Sequence, residues 1–501
     1  MQKHIALIPA LFLLMYLQTS AQSLSKLIPV SIAGPVTQEE IDCYDDYYPY
    51  FKIPPNNDKK DMTWDLSPFI HSLIYMYEIN QDIKYIDYAI KCCDRVQDAR
   101  RTGDVDYVTQ RIMPGWPYFT DQFTDSTGKP AIYNNVVGNG AIIRAMSRVA
   151  RVIRRDSLDE PYQLKAQSYI HSCTETINTF IDYTEWYDST SMLFHFPDNK
   201  RHDDCLPGVR GLTSAFNRQL LMAAGMLNVV KYYELTDEET ALRIKFTEVV
   251  NSVAQYFWNS VTTLGSGEST YYLWMYREEG KNGSAPRMED IEHGGYDIKC
   301  IVQIHEDLGI ATGTQLSYIG NTLMEHTQYN PQAHAFADKI DGSDRYDDPM
   351  GQREGSLRWL AISDWDERVF TNAGWQLTNG VELKKALPYA EFLYYKAKYY
   401  GTDLALTSQS HQVVPSRDEI LISPNPARDR INVALPFDQE QIESVRIIGP
   451  ASGKVYRTLS NDLSVLSMRD ISLDVSALPE GIYIIVIQTN DRLISQKFIK
   501  H

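Results

Sequence analysis

The sequence predicts a mainly α-helical body, an (α/α) toroid of helical hairpins, followed by a small all-β immunoglobulin-like sandwich. Between residues 64 and 400, apolar and aromatic residues recur at helical spacing, and short polar turns separate the segments in pairs. After residue 400 the pattern changes to short β-type runs that turn residues divide. Paired helices of this length can bury their apolar stripes in an open solenoid, a bundle or a closed ring. We favour the ring, because no strict repeat marks an open array and long polar connections interrupt the pairs.

The N-terminus reads as a secretory signal peptide over residues 1–22. A short basic start precedes an apolar run at residues 5–17, and small and polar residues follow it. This run is shorter than the roughly 18 to 20 residues that a membrane-spanning helix needs. We therefore expect an exported protein without a permanent membrane anchor.

The toroid is predicted over residues 23–400, and its long connections are the places to look for function. Loops longer than about 12 to 15 residues in a compact domain are usually functional. The predicted connections of this length are 103–133, 188–211, 262–292 and 330–355. The predicted helices are 66–79, 83–101, 136–154, 162–187, 213–233, 238–258, 297–308, 314–326, 356–361 and 381–399.

A polar linker at residues 401–418 precedes the β-module at residues 419–501. Its predicted strands are 420–422, 431–435, 445–448, 471–475, 482–487 and 493–499, at the spacing of a small sandwich. Four short sequence features mark the module: residues 423–427 (SPNPA) at its start, Gly449 with Gly453 in a central turn, residues 478–483 (LPEGIY) before the penultimate strand, and residues 497–500 (KFIK) at its end. In these features the module resembles the C-terminal sorting domain of the type IX (Por) secretion system of Bacteroidetes. The resemblance implies that the secretion machinery is a partner and that the protein is exported through the periplasm and outer membrane, to be secreted or held at the cell surface.

Charge and cysteine content exclude several classes of function. There are 65 acidic and 48 basic residues, giving a net charge of −17 and arguing against a nucleic-acid partner. The six cysteines have no zinc-ligand spacing, and no Walker, Rossmann or GxSxG pattern lies in a suitable setting. We expect no cofactor and no metal, although residues 341–348, with four aspartates, loosely resemble a calcium-binding loop.

The densest group of ionisable residues is at positions 289–297, where a long loop meets a predicted helix. His293 and Asp297 are four residues apart and share a helix face, which suits a histidine oriented by a carboxylate with Tyr296 beside it. Asp290, His293, Tyr296 and Asp297 are therefore the predicted catalytic residues. The alternative is a helix cap, in which Asp290 only complements the helix terminus.

Predicted substrate-binding residues lie at two other helix starts and among the aromatic side chains. Asn217 and Arg218 could hold a hydroxyl or a carboxylate, and Asn134 or Asn135 could do the same, although all four also suit an ordinary helix start. Trp116, Tyr118 and Trp274 head the predicted stacking platforms for sugar rings. The other aromatic residues of this kind are Trp64, Tyr276, Trp359 and Trp375.

The order of these segments resembles the (α/α)-toroid carbohydrate-active enzymes. Members of that group include polysaccharide lyases, epimerases and inverting glycosidases, so the resemblance implies a polysaccharide substrate and leaves the reaction open. The first hypothesis is a secreted polysaccharide lyase or related uronate-acting enzyme. The alternatives are an inverting glycoside hydrolase that uses two of Asp290, Asp297 and Asp65, and a non-catalytic toroid that binds glycans or proteins.

Overall fold

The computed structural model describes two compact units, residues 1–404 and residues 405–501. In the first unit the described residues are 27–124, 130–277, 286–345, 353–379 and 385–404. In the second they are 421–423, 427–434, 442–449, 454–460, 470–479, 481–489 and 493–500. The predicted signal peptide and residues 405–418 of the predicted linker lie outside these ranges.

The first unit is built from helices, which confirms the mainly helical body. We number them α1 (Gln38–Tyr47), α2 (Ser67–Asn80), α3 (Ile83–Asp98), α4 (Val136–Arg155), α5 (Glu160–Asp182), α6 (Lys200–Cys205), α7 (Phe216–Thr236), α8 (Thr240–Ser260), α9 (Ile291–Leu308), α10 (Gly313–Asn321), α11 (Arg353–Leu357), α12 (Glu367–Thr378) and α13 (Leu387–Tyr400). A π-helical turn, Met62–Leu66, leads into α2, and another, Thr322–Thr327, follows α10.

Side-chain caps and prolines fix where the helices of this unit begin. Asn135 caps α4 by accepting a hydrogen bond from the backbone N–H of Gly138, and Asp290 caps α9 through the backbone N–H of His293. Pro68 and Pro388 stand in the first turns of α2 and α13, where a missing N–H costs nothing.

Alternate helices of the first unit contact one another in an order that returns to its start. α2 packs on α4, α4 on α7 and α7 on α9. α9 then contacts α11 and the 3-10 turn Leu360–Ile362, which contacts α13, and α13 packs back on α2. The intervening helices α3, α5 and α8 each pack on the preceding member of this inner series. Because the intervening helices run back between them, the inner helices share one direction and their N-termini gather at one end of the ring.

Two glycines allow the closest approach between inner helices. A Cβ on Gly140 of α4 would lie 2.7 Å from the backbone nitrogen of Met222, and one on Gly225 of α7 would lie 2.8 Å from Cγ2 of Ile143. Both helices are buried along most of their length at this crossing. The small residues therefore set the distance between α4 and α7.

We expect Gly140→Ala to destabilise the protein by about 1–3 kcal/mol, because the added methyl meets backbone that cannot rotate away. Urea unfolding followed by circular dichroism measures the loss. Gly103→Ala is the matched control, since no atom lies within 4 Å of the Cβ position there. Equal stability of the two variants would contradict the close contact between α4 and α7.

The long connections differ from open loops, because each carries a short antiparallel hairpin. The paired strands are β2 (Tyr118–Thr124) with β3 (Pro130–Tyr133), β4 (Tyr187–Asp188) with β5 (Leu193–Phe194), β6 (Thr262–Leu264) with β7 (Tyr271–Leu273), and β8 (Gln328–Asn330) with β9 (Ala335–Phe336). The predicted helix 162–187 accordingly ends at Asp182, since Tyr187 belongs to a hairpin. The prediction also missed α1, α6 and α12.

The start of the predicted linker belongs to the first unit. Strand β10 (Thr402–Asp403) pairs in parallel with β1 (Val36–Thr37), so residues 402 and 403 are tied to the beginning of the helical body. Within the described part of the chain, no helix combines the length and the apolar character that crossing a bilayer requires.

The second unit contains two antiparallel sheets. Strands β11 (Leu421–Ser423), β12 (Arg430–Ala434) and β15 (Asp470–Asp474) form one, and β13 (Ile442–Gly449), β14 (Lys454–Ser460), β16 (Gly481–Thr489) and β17 (Leu493–Lys500) form the other. Strand β14 was not predicted. Ile431 and Val433 of the first sheet share one apolar cluster with Val445, Ile485 and Phe498 of the second. The immunoglobulin-like arrangement of these sheets remains a prediction.

Candidate functional site

The sequence-predicted residues gather where the inner helices begin. Asn217 and Arg218 stand in the first turn of α7, and Asp290 and His293 at the start of α9. The loop residue Tyr276 joins these two helix starts: its carbonyl accepts a hydrogen bond from the backbone N–H of Phe216, and its ring lies 5.2 Å from that of His293. We call this end of the ring the mouth.

His293 is held by Asp290. Its Nδ1 lies 2.9 and 2.8 Å from the two carboxylate oxygens, and its backbone N–H donates to Oδ1 of the same residue at 2.9 Å. Burial raises the pKa of Asp290, but the hydrogen bonds from the side chain and backbone of His293 outweigh it and lower that pKa to about 2. Because an ionised carboxylate only accepts, the proton of neutral His293 is on Nδ1 and Nε2 carries a lone pair.

The imidazole of His293 is open to solvent while its partner is buried. The His293 side chain is 39% exposed and that of Asp290 is 9% exposed. The sequence had assigned the orienting role to Asp297, four residues along the same helix, whereas the N-cap residue performs it. Catalytic use and helix capping were posed as alternatives for Asp290, and its carboxylate makes both sets of contacts.

Asp297 lies beneath the site instead of facing the mouth. It is fully buried, and its Oδ2 accepts a hydrogen bond from Nε1 of Trp274 at 3.0 Å. Glu289, also fully buried, accepts from the backbone N–H of Asp290 at 2.9 Å. Oδ1 of Asp297 and Oε2 of Glu289 have no donor among the described residues, so a proton shared by the two carboxyl groups satisfies both.

Burial accounts for the titration of this carboxyl pair. Burial, then the neighbouring charge of Asp297, raises the pKa of Glu289 far above its usual range. Burial also raises the pKa of Asp297 to about 7, against the hydrogen bonds from Glu289 and Trp274. Both carboxyl groups therefore hold protons at pH values where they would be ionised in the unfolded chain.

Stability should fall as pH rises from about 4 through about 7, because the folded pair binds more protons than the unfolded one over this range. We expect Glu289→Gln to flatten this dependence, since the amide can donate to Asp297 without titrating. Urea unfolding at several pH values measures the slope. Glu175→Gln, at an exposed carboxylate paired with Arg100 on the outer surface, is the control and should keep the wild-type slope. An unchanged slope in Glu289→Gln would contradict the shared proton.

The two glycines of α9 adjoin other parts of this chain. A Cβ on Gly295 would lie 2.5 Å from Cβ of Arg358, and one on Gly294 would lie 3.1 Å from the ring of Trp359. Glycine at these two positions leaves room beside the helix. The room is taken by residues 358 and 359, which pack against the start of α9.

Arg218 and Asn217 carry hydrogen-bonding groups that nothing in the described chain satisfies. The buried Nε of Arg218 has no acceptor, and Oδ1 of the buried Asn217 has no donor. Burial lowers the pKa of Arg218, but the Tyr276 hydroxyl and the neighbouring Tyr133 raise it further, so the guanidinium stays charged. Arg218 and His293 thus flank Tyr276.

Further cationic and aromatic groups surround the start of α9. Tyr296 lies 5.7 Å from Trp64 between ring centroids and 5.2 Å from the guanidinium of Arg358. Tyr296 is thus in a neighbouring aromatic group, whereas the ring against His293 is that of Tyr276. Arg287 lies 5.8 Å from the Tyr276 ring, and Nζ of Lys385 donates to the carbonyl of Trp64 at 2.7 Å.

An open cavity adjoins Trp64. It measures about 390 Å³, and its lining includes Phe51, Asp65, Phe69 and Lys385. Apolar rings beside two lysines, Lys52 and Lys385, and two aspartates, Asp61 and Asp65, suit the faces and hydroxyls of a sugar.

Two predicted stacking platforms are core residues. Trp116 and Trp274 are each 1% exposed, and their indole N–H groups donate to the carbonyl of Val96 and to Asp297. Neither ring offers a face to a sugar, because packing covers both sides. Tyr118 is 5% exposed, with its ring against Gly138.

The predicted asparagine pair is also structural. Asn135 caps α4, and Asn134 donates to the carbonyl of Met113 and accepts from Asn139. Both are at most 2% exposed. They shape the start of α4 and do not line an open surface.

One group among the described residues has metal-ligating geometry. Glu289, Asp290 and His293 each offer a ligand atom within 4.8 Å of the others. The imidazole Nδ1 is already bonded to Asp290, and Oε1 of Glu289 accepts from the backbone N–H of Asp290, so each of the three residues has a hydrogen-bond partner within this group. In the predicted calcium loop, Asp341 accepts from the backbone N–H of Ser343, and Asp347 and Asp348 lie outside the described residues.

Comparison with known proteins identifies the C-terminal unit. Residues 421–501 match the family of secretion system C-terminal sorting domains. This match supports export, with secretion or attachment at the cell surface, and interaction with the secretion machinery. No curated protein is significantly similar to the chain in sequence.

Three of the solved structures that are similar to the chain are carbohydrate-active enzymes. A cellobiose 2-epimerase from Bacillus thermoamylovorans shares 12% identity over 51% of this chain and 57% of its own, with a TM-score of 0.31. A polysaccharide lyase shares 10% identity over 68% of this chain and 90% of its own, with a TM-score of 0.37. A family 76 glycoside hydrolase from a bovine Bacteroides thetaiotaomicron strain shares 11% identity over 66% of this chain and 54% of its own, with a TM-score of 0.35. The match thus spans little more than half of the epimerase and hydrolase chains, and similarity at this level assigns no activity.

Proposed function

We propose that the helical body is an (α/α) toroid acting as a polysaccharide lyase, or a related uronate-acting enzyme, with His293 as its general base. The observation that carries this proposal is the Asp290–His293 pair, in which a buried carboxylate holds a partly exposed imidazole at the mouth beside Tyr276 and Arg218. The carboxylate fixes the tautomer and leaves Nε2 free to accept a proton.

Elimination at a uronate residue needs three functions that these side chains can perform. Nε2 of His293 removes the proton at C5, the C4–C5 double bond forms, and the C4–O bond breaks. The guanidinium of Arg218 stabilises the negative charge that develops on the carboxylate. The hydroxyl of Tyr276, or the imidazolium that has just formed, returns a proton to the leaving oxygen.

An inverting hydrolase fits these residues less well. That reaction needs two carboxyl groups facing each other across the substrate, one of them protonated. Asp297 retains a proton but is fully buried, and Asp290 is ionised and engaged by His293. The buried proton therefore has no route to a glycosidic oxygen.

The proposal extends to the route of export and the partner. A signal peptide would carry the chain into the periplasm, and the C-terminal unit would then be read by the type IX machinery at the outer membrane. The substrate would be a polymer outside the cell, consistent with an aromatic and cationic mouth on a protein of net charge −17.

A substrate panel tests the activity. The purified helical body, starting near Ser23, is incubated with uronate and neutral polysaccharides while ultraviolet absorbance and reducing ends are followed together. New absorbance with new reducing ends on a uronate polymer is the expected result. Reducing ends alone would move the assignment to a hydrolase, and no product on any polymer would favour a binding protein.

A further inference from the structure

A second cavity lies at the opposite end of the ring from the mouth. It measures about 220 Å³ and is lined by the C-terminal halves of inner helices, with Tyr75 from α2, Arg148 from α4, Gln303 from α9 and Tyr394 from α13. His293 and Gln303 are ten residues apart on α9, so the two sites are separated by about 15 Å along the helix axis.

The lining of this cavity has an excess of positive charge. Five of its side chains are cationic and three are acidic. Arg148 pairs with Glu78 at 3.0 Å, and Arg151 pairs with Asp307 through both terminal nitrogens at 2.7 Å. These two ion pairs occupy two of the three carboxylates. Burial raises the pKa of the third, Glu306, and nearby carboxylates raise it further, which favours its neutral form.

Arg144 is the cation in this cavity without a carboxylate partner. It is 8% exposed, and among the described residues its only hydrogen bond runs from Nε to Oε1 of Gln303 at 3.0 Å. Gln303 is itself fixed, because its Nε2 donates to the carbonyl of Ala224 and to Oδ1 of Asn228, each at 3.0 Å. The terminal nitrogens of the Arg144 guanidinium are thus held in place at the cavity, and no acceptor among the described residues bonds to them. A buried charge in this condition is costly unless an anion meets it.

Lys299 adds a second charge to the same lining. It is 7% exposed and donates to Glu391, which lies behind the cavity wall. The charge of Arg144 acts on Lys299, so the two cations are near neighbours. Both side chains line the cavity, so one acceptor group bound there can contact both.

We propose that this cavity binds a small oxyanion, the carboxylate of a sugar acid or a free phosphate, through the terminal nitrogens of Arg144 and the ammonium group of Lys299. The planar guanidinium fork matches the two oxygens of such a group. The volume is below the range of about 300–1,000 Å³ that is usual for ligand pockets, which limits the ligand to a single small molecule and excludes a polymer. The site is independent of the chemistry at the mouth.

Calorimetric titration of the full mature chain tests the site at constant ionic strength, with glucuronate, phosphate and uncharged glucose as probes. We expect glucuronate, phosphate or both to bind and glucose not to bind. Arg144→Gln should weaken binding by at least about tenfold. Arg100→Gln is the matched control, because Arg100 is similarly buried (7% exposed) and is paired with Glu175 on the outer surface. If only one of the two anions binds, the result shows whether the ligand is a sugar acid or free phosphate.

A second variant guards against loss of folding. Arg144→Lys keeps the positive charge but lacks the planar fork, so it should weaken anion binding while circular dichroism stays unchanged. Arg218→Gln, at the mouth, should leave the part of the binding that depends on Arg144 unchanged. The proposal is overturned if neither anion binds, if Arg144→Gln binds as the wild type does, or if Arg218→Gln removes the binding instead.

Discussion

Replacing His293 with alanine should lower cleavage of a uronate polymer by about a hundredfold to ten-thousandfold, the range that a general base contributes. The reason is geometric: His293 is the exposed imidazole at the mouth whose Nδ1 is fixed by a carboxylate, so its removal leaves no group beside Tyr276 with a free basic nitrogen. The measurement is the initial rate of ultraviolet absorbance increase at saturating polymer.

The same variant should remain folded. Asp290 caps α9 through the backbone N–H of His293, and alanine keeps that N–H. His171→Ala is the control, because His171 is exposed on α5, which packs outside the inner series. Retention of most of the activity by folded His293→Ala, with the His171 variant unchanged, would remove His293 from the mechanism and leave Tyr276 as the group to test.

The helical body could be predicted from sequence because periodicity is a local property. The predicted bounds of α2, α4 and α7 lie within three residues of those in the structure, since apolar spacing is local in the chain and Asn135 caps α4. The short hairpins were not predicted because all their strands except β2 are only two to four residues long and leave almost no pattern. Helix α12 was missed because its polar residues obscure its apolar stripe.

The candidate site could be predicted in part for the same reason. The group around His293 is local in sequence, so its residue types could be recognised. Whether a carboxylate faces the mouth or the core depends on packing: Asp297 is buried because Trp274 comes from another segment and covers it. The contact of Tyr276 with His293 likewise joins a loop to a helix start, and no spacing within either segment encodes it.

Trp116 and Trp274, two of the predicted aromatic platforms, are core residues for a physical reason that applies to any aromatic-rich chain. Trp116 lies in a loop context that suggested exposure, yet its indole N–H finds a carbonyl on α3 and its ring fills the core. Tryptophan buries more apolar area than most residues, so a loop that can fold over the helices will bury it.

Asp290→Asn should be almost as damaging to activity as the loss of His293 itself, with a decrease of up to about ten-thousandfold. Asparagine keeps an oxygen that can accept from the backbone N–H of His293, and it is among the best N-cap residues, so α9 should begin at the same place. Its amide nitrogen, however, offers a donor to the imidazole. The histidine would then turn its lone pair inward and carry its proton on Nε2, where a base is required.

Comparison of two substitutions at this position separates orientation of the base from capping. Asp290→Asn should keep the thermal unfolding midpoint within a few degrees of the wild type while activity is lost, whereas Asp290→Ala should lose the cap as well, at a cost of about 0.5–2 kcal/mol. The pH profile gives a further readout, because activity of the Asn variant should not recover at any pH at which the fold survives. If Asp290→Asn cleaves the polymer as fast as the wild type, the aspartate acts only as a helix cap. His293 would then not be a base that this carboxylate orients.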